Sequence, residues 1–93
     1  MEIGMKIQDL ETKNELSRRL KRIAGQVRGV ERMVEEEREC REIAQQLAAI
    51  RSAVHQTSVE LMRSYAACCL TEEDEQARDL MVEDLMAILS RSA

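Results

Sequence analysis

The sequence has no proline, no tryptophan and no phenylalanine, and its single aromatic residue is Tyr65. Strands draw on β-branched and aromatic runs, which are missing here, so a sheet is excluded as the main architecture. With no proline and only three glycines, little in the chain breaks it into short elements. No apolar run approaches the roughly 20 residues that span a bilayer, and the start of the chain lacks the apolar segment of a signal peptide. There is one histidine, His55, no Ser/His/Asp set and no phosphate-cradling glycine loop, which argues against an enzyme. These absences together describe a non-catalytic, cytoplasmic chain without a membrane partner and without a resident cofactor.

What remains is rich in Ala, Leu, Glu, Arg and Met, the residues that favour helix most strongly. A chain of 93 residues makes one small domain, and without large aromatics its own core is marginal. Such a chain is expected to be all-α and to complete its core by pairing with further copies. Residues 1–11 carry little pattern and read as a flexible lead, with residues 12–93 as the single domain. Thr12 followed by Glu15 fits a capping box. From there Leu16, Leu20, Ile23, Val27, Val30 and Val34 step by fours and threes, the period of an amphipathic helix. Gly25 and Gly29, four apart on that helix, suggest close approach by a neighbouring backbone. The acidic run at 35–37 marks a turn. Ile43, Leu47, Ile50, Val54, Leu61, Tyr65 and Cys69 then describe one long helix, uninterrupted by Gly or Pro. Thr71 with Asp74 is a second cap signal, leading into a third stripe of Leu80, Met81, Leu85, Ile88 and Leu89. The long middle helix overhangs its neighbours, and its apolar overhang requires a partner.

The net charge of −4 hides a segregation. Between residues 16 and 32, six cations stand against Glu31 alone, a balance of +5. Between residues 71 and 86, seven acids stand against Arg78, a balance of −6. A basic stripe set apart in this way can bind a polyanion even on an acidic chain.

Three cysteines in a cytosolic chain are not structural staples. Cys40 and Cys69 lie 29 residues apart on the long helix, about eight whole turns, so they share a face but sit about 43 Å apart. Two ligands of one metal, or two ends of one bridge, must lie within a few ångströms. If these thiols cooperate, they come from different chains. Antiparallel pairing of the long helices achieves this, with a two-fold axis between residues 54 and 55. The alternative is two small side chains buried for packing. Cys68 points about 100° away from Cys69 and reads as a packing residue or a spare thiol.

The segments RLKRIAGQVRGVE at 19–31 and ECREIAQQLAAIRSA at 39–53 resemble the first helix and the start of the second helix of the CsoR/RcnR repressor family. The resemblance extends over residues 16–69. It implies a three-helix subunit, an antiparallel dimer, a dimer-of-dimers tetramer and binding to double-stranded operator DNA without a helix-turn-helix. It places the effector-sensing positions on Cys40, Tyr65 and Cys69, and the DNA contacts on Arg19, Lys21, Arg22 and Arg51. Copper-sensing members carry a histidine where this chain has Tyr65, and a neutral phenol is a poor Cu(I) donor. The remaining pattern, two cysteines without that histidine, is similar to the CstR-like persulfide sensors. There, reactive sulfur links the two cysteines between subunits. Two alternatives stand beside this reading. One is a Cu(I)-responsive repressor holding the metal on Cys40 and Cys69; the other is a helical assembly module that binds no DNA.

Overall fold

The computed structural model describes residues 6, 7 and 9–92, and among them all regular structure is helical. Helix α1 spans Leu10–Glu35, α2 Cys40–Thr71 and α3 Glu75–Ser92. The expected three-helix subunit with a long central helix is what folds. At 32 residues, α2 outruns α1 at 26 and α3 at 18.

Both expected caps shift, for physical reasons. Asp9, not Thr12, starts α1: its carboxylate accepts the backbone N–H of Glu11 and Thr12 at 3.2 and 3.3 Å. Thr12 turns its hydroxyl onto the same carboxylate at 2.8 Å, and these bonds hold the Asp9 carboxyl below its ordinary pKa. The first helical turn therefore begins inside the expected lead; residues 1–5 and 8 of that lead lie outside the described residues. Glu15, freed from a reciprocal capping role, pairs with arginines instead. At the other junction Thr71 still belongs to α2, and its hydroxyl donates back to the Cys68 carbonyl at 2.9 Å, as helical threonines do. Asp74 caps α3 by accepting the N–H of Gln76 at 3.2 Å.

The expected turn at 35–37 closes α1 by a Schellman pattern. Glu37 N–H bonds the Val34 carbonyl, and Arg38 N–H bonds the Met33 carbonyl at 3.0 Å. This puts Glu37 at φ 56, a left-handed position that usually selects glycine.

Packing is thin. Both α1 and α3 lie against α2 and not against each other. Leu16 and Ile23 of α1 are buried, as is Thr57 of α2, whose hydroxyl is satisfied by the Ala53 carbonyl at 2.8 Å. A second cluster joins Cys69 of α2 to Met81 and Leu85 of α3. The radius of gyration is 17.3 Å, against about 13 Å for a compact domain of this length. Leu20, Val27 and Val34 on α1, and Leu47, Val54 and Leu61 on α2, recur at intervals of seven and stay 36–58% exposed. A stripe of that period is the kind that pairs with another helix.

Candidate functional site

All three cysteines lie on α2, and all are free thiols. Cys40 is the first residue of the helix and is exposed. Cys69, in the last turn, is 4% exposed beneath Met81 and Leu85, with Met62, Tyr65, Ala66 and Cys68 around it. Burial, then the neighbouring Cys68, push the Cys69 thiol above its ordinary pKa. One continuous helix keeps the pair about 43 Å apart on one face, so a single subunit does not bring them together.

Tyr65 sits one turn before Cys69 and donates its hydroxyl to Oδ2 of Asp84 on α3, at 2.9 Å. Burial, followed by the hydrogen bond and the charge of Asp84, raises its phenol from 10.0 to about 12. Because Tyr65 is the only aromatic residue, tyrosinate absorbance reports on it alone. In the folded protein that absorbance is expected to develop around pH 12. The folded pKa lies above the unfolded one, so the phenol's contribution to stability is complete below pH 10 and lost between 10 and about 12. Ionisation of folded protein at the ordinary value would show that Asp84 does not hold the hydroxyl.

Sequence reasoning nominated Tyr65 but missed Asp84. The partners are 19 residues apart in different helices, and Asp84 sits within an acidic run that carries no pairing signal of its own.

The nominated cations divide between two sides of α1. Lys21 and Arg22 are exposed, as is Arg51 on α2. Arg19 lies about 160° round the helix from Lys21, near the buried Leu16 and Ile23. Its guanidinium bonds Glu15 at 3.0 Å, and Arg18 bonds the same carboxylate at 2.7 Å. Lys21 is joined on its own side by Arg28 and Arg32, within about 40° of one another, two cations that the sequence reading counted without nominating. The close backbone approach suggested at Gly25 and Gly29 does not occur within the subunit. A Cβ at Gly25 would meet only the Arg28 side chain, at 3.9 Å, and one at Gly29 would meet nothing within 4 Å. The glycines instead leave bare backbone between Arg22 and the Lys21, Arg28 and Arg32 strip.

Cu(I) takes soft donors, and within one chain the donor set does not converge. The two thiols are at opposite ends of α2, and the Tyr65 oxygen is a protonated donor committed to Asp84. Among the described residues, no group of three or more His, Cys, Asp or Glu is placed to hold a metal ion. None of the described helices is long and apolar enough to cross a membrane.

Comparison with known proteins locates this arrangement. The copper-sensing transcriptional repressor CsoR of Bacillus subtilis (strain 168) is 38% identical over 60 residues, which is 64% of this chain and 59% of that protein. The chain thus spans less than two thirds of this relative's length. A crystal structure of the copper-sensing repressor CsoR with Cu(I) from Geobacillus thermodenitrificans NG80-2 superposes with a TM-score of 0.84 at 34% identity, covering 94% of this chain and 92% of that one. A variant of the formaldehyde-responsive regulator FrmR from Salmonella enterica serovar Typhimurium superposes at 0.85 with 27% identity, covering 92% and 99%. One scaffold therefore serves proteins named for different effectors. Residues 12–91 match the metal-sensitive transcriptional repressor family, and the chain belongs to it.

Proposed function

We propose that this protein is an operator-binding transcriptional repressor that senses reactive sulfur through Cys40 of one subunit and Cys69 of another. Family membership supports the repressor role. The exposed heptad stripe on α2 supports an antiparallel dimer. It is centred on Val54, and the midpoint of Cys40 and Cys69 falls beside it, so one two-fold axis overlays the stripe on itself and each thiol on its counterpart. Dimers pair again into a tetramer and present α1 to the duplex, where Lys21, Arg22 and Arg51, with Arg19, contact phosphates rather than base edges.

The observation that carries the effector is the Tyr65–Asp84 hydrogen bond, which leaves two thiols and no third soft donor at the sensing positions. With inorganic disulfane as donor, the exposed Cys40 thiolate attacks one sulfur. A Cys40 persulfide forms and hydrosulfide leaves. The Cys69 thiolate of the second subunit then attacks the Cys40 sulfur, forming the inter-subunit disulfide and releasing a second hydrosulfide. Two thiols are oxidised and one sulfane S–S bond is reduced, with no further reagent. Longer donors leave additional sulfurs in the bridge.

A Cu(I)-responsive repressor is the second reading, favoured by the copper-sensing relatives. Two thiolates, one from each subunit, would hold the ion. Treating reduced protein with inorganic polysulfide or with Cu(I), then measuring intact mass and operator gel shift, separates the two. A covalent dimer that carries added sulfur and releases DNA is the expected result. DNA release by Cu(I), with polysulfide producing neither cross-link nor release, would transfer the assignment to copper.

A further inference from the structure

We infer that Asp84 is a positioning residue for Cys69: by accepting the Tyr65 hydroxyl it holds α3 down over the thiol, which reacts only when α3 lifts. The inference rests on Cys69 being the second sensing thiol, and it adds the element that governs access to it.

The geometry is confined to one turn of each helix. Tyr65 and Cys69 are four apart on α2, while Met81, Asp84 and Leu85 are spaced three and four apart on α3, so each set shares a face. The 2.9 Å hydrogen bond and the two side chains that cover the sulfur therefore belong to one patch. Around this patch α3 is held by α2 alone. It makes no contact with α1, and its apolar Val82, Met86 and Leu89 are exposed. An apolar groove lined by Val59, Met62, Ala66 and Leu89 opens between α2 and α3 beside the patch. The Arg78 guanidinium bonds the Glu72 carbonyl at 3.4 Å, which ties α3 to its own connecting loop rather than to the Cys69 patch. A helix packed on a single neighbour opens locally without global unfolding.

The test is the alkylation rate of each cysteine with iodoacetamide, followed by peptide mass spectrometry on the reduced full-length protein. Asp84→Ala is expected to speed Cys69 labelling about fivefold, the change that loss of one ordinary hydrogen bond makes in an opening equilibrium. Cys40 labelling stays unchanged. Tyr65→Phe gives the same increase, and the double variant adds nothing, because both remove one interaction. Asp84→Asn, which keeps an acceptor oxygen, falls between Asp84→Ala and the parent. Tyrosine emission, quenched by a carboxylate acceptor, rises in Asp84→Ala. An unchanged Cys69 rate, additive effects of the two variants, or equal acceleration at Cys40 each overturns the inference. No sulfur donor is involved, so its failure is separate from that of the effector assignment, which the polysulfide experiment decides.

Discussion

Cys69→Ala is expected to yield a protein that still binds operator DNA but forms no polysulfide-linked dimer. The bridge needs two sulfurs brought together between subunits, and the loss of either reduces the covalent dimer from the main product to background. Cys68 does not substitute for its neighbour. It points about 100° away along α2 and lines a cleft with Lys6, Ile7, Leu61, Ser64 and Tyr65. Cys40 remains exposed in the variant and still takes up sulfur, so its persulfide accumulates without a resolving partner. Removing a small side chain from the Cys69, Met81 and Leu85 cluster costs roughly 1 kcal/mol, within what a folded domain tolerates. Operator affinity in the reduced state is therefore expected to stay within about threefold of the parent, a change well under 1.4 kcal/mol. Intact mass under non-reducing denaturing conditions, alongside a gel shift, reads both quantities. A variant that still cross-links would place the second thiol elsewhere, and one that no longer binds DNA would make Cys69 a packing residue.

The candidate site's geometry was legible in the sequence to the extent that it depended on one helix. The unbroken pattern from Ile43 to Cys69 set the length of α2, and the 29-residue spacing set the face and separation of the thiols. What came from docking between helices was not legible. Nothing local announces that Met81 and Leu85 close over Cys69, or that Asp84 among seven acids is the one that takes the Tyr65 hydroxyl. The helix ends fall between these cases. Asp9 and Thr12 can both cap, as can Thr71 and Asp74, and the choice depends on which residue leaves helical backbone geometry first. Glu37 shows the opposite failure. A left-handed residue closes α1 without the glycine that would have marked it, because the two Schellman bonds compensate the strain. The basic stripe was visible as charge, but its division between the Arg19 side and the Lys21 side emerged only once the buried face of α1 was known.

That division bears on the second large effect, in DNA binding. Replacing Lys21 and Arg22 together by Ala is expected to weaken operator binding by at least about 100-fold near 0.1 M salt. Both side chains are exposed and, among the described residues, neither has a carboxylate partner, so their charge is available to phosphate without first breaking an ion pair. In the proposed tetramer each substitution is repeated by symmetry. If two subunits face the duplex, four phosphate contacts go at once, and the slope of log affinity against log salt falls by about 3 to 4. Arg51→Ala and Arg19→Ala act in the same direction. Arg19→Ala also removes one of the two cations that neutralise Glu15, leaving that carboxylate less screened. Arg91→Ala, which removes an exposed cation from the last turn of α3, is the matched control and leaves the slope unchanged. The slope matters more here than the affinity. A variant that merely loosens the tetramer loses affinity at every salt concentration and displaces as many ions when it binds. A flatter slope in the Lys21/Arg22 variant, with the Arg91 variant unaltered, therefore assigns the contact to these two side chains of α1, while an unchanged slope would remove them from the DNA interface.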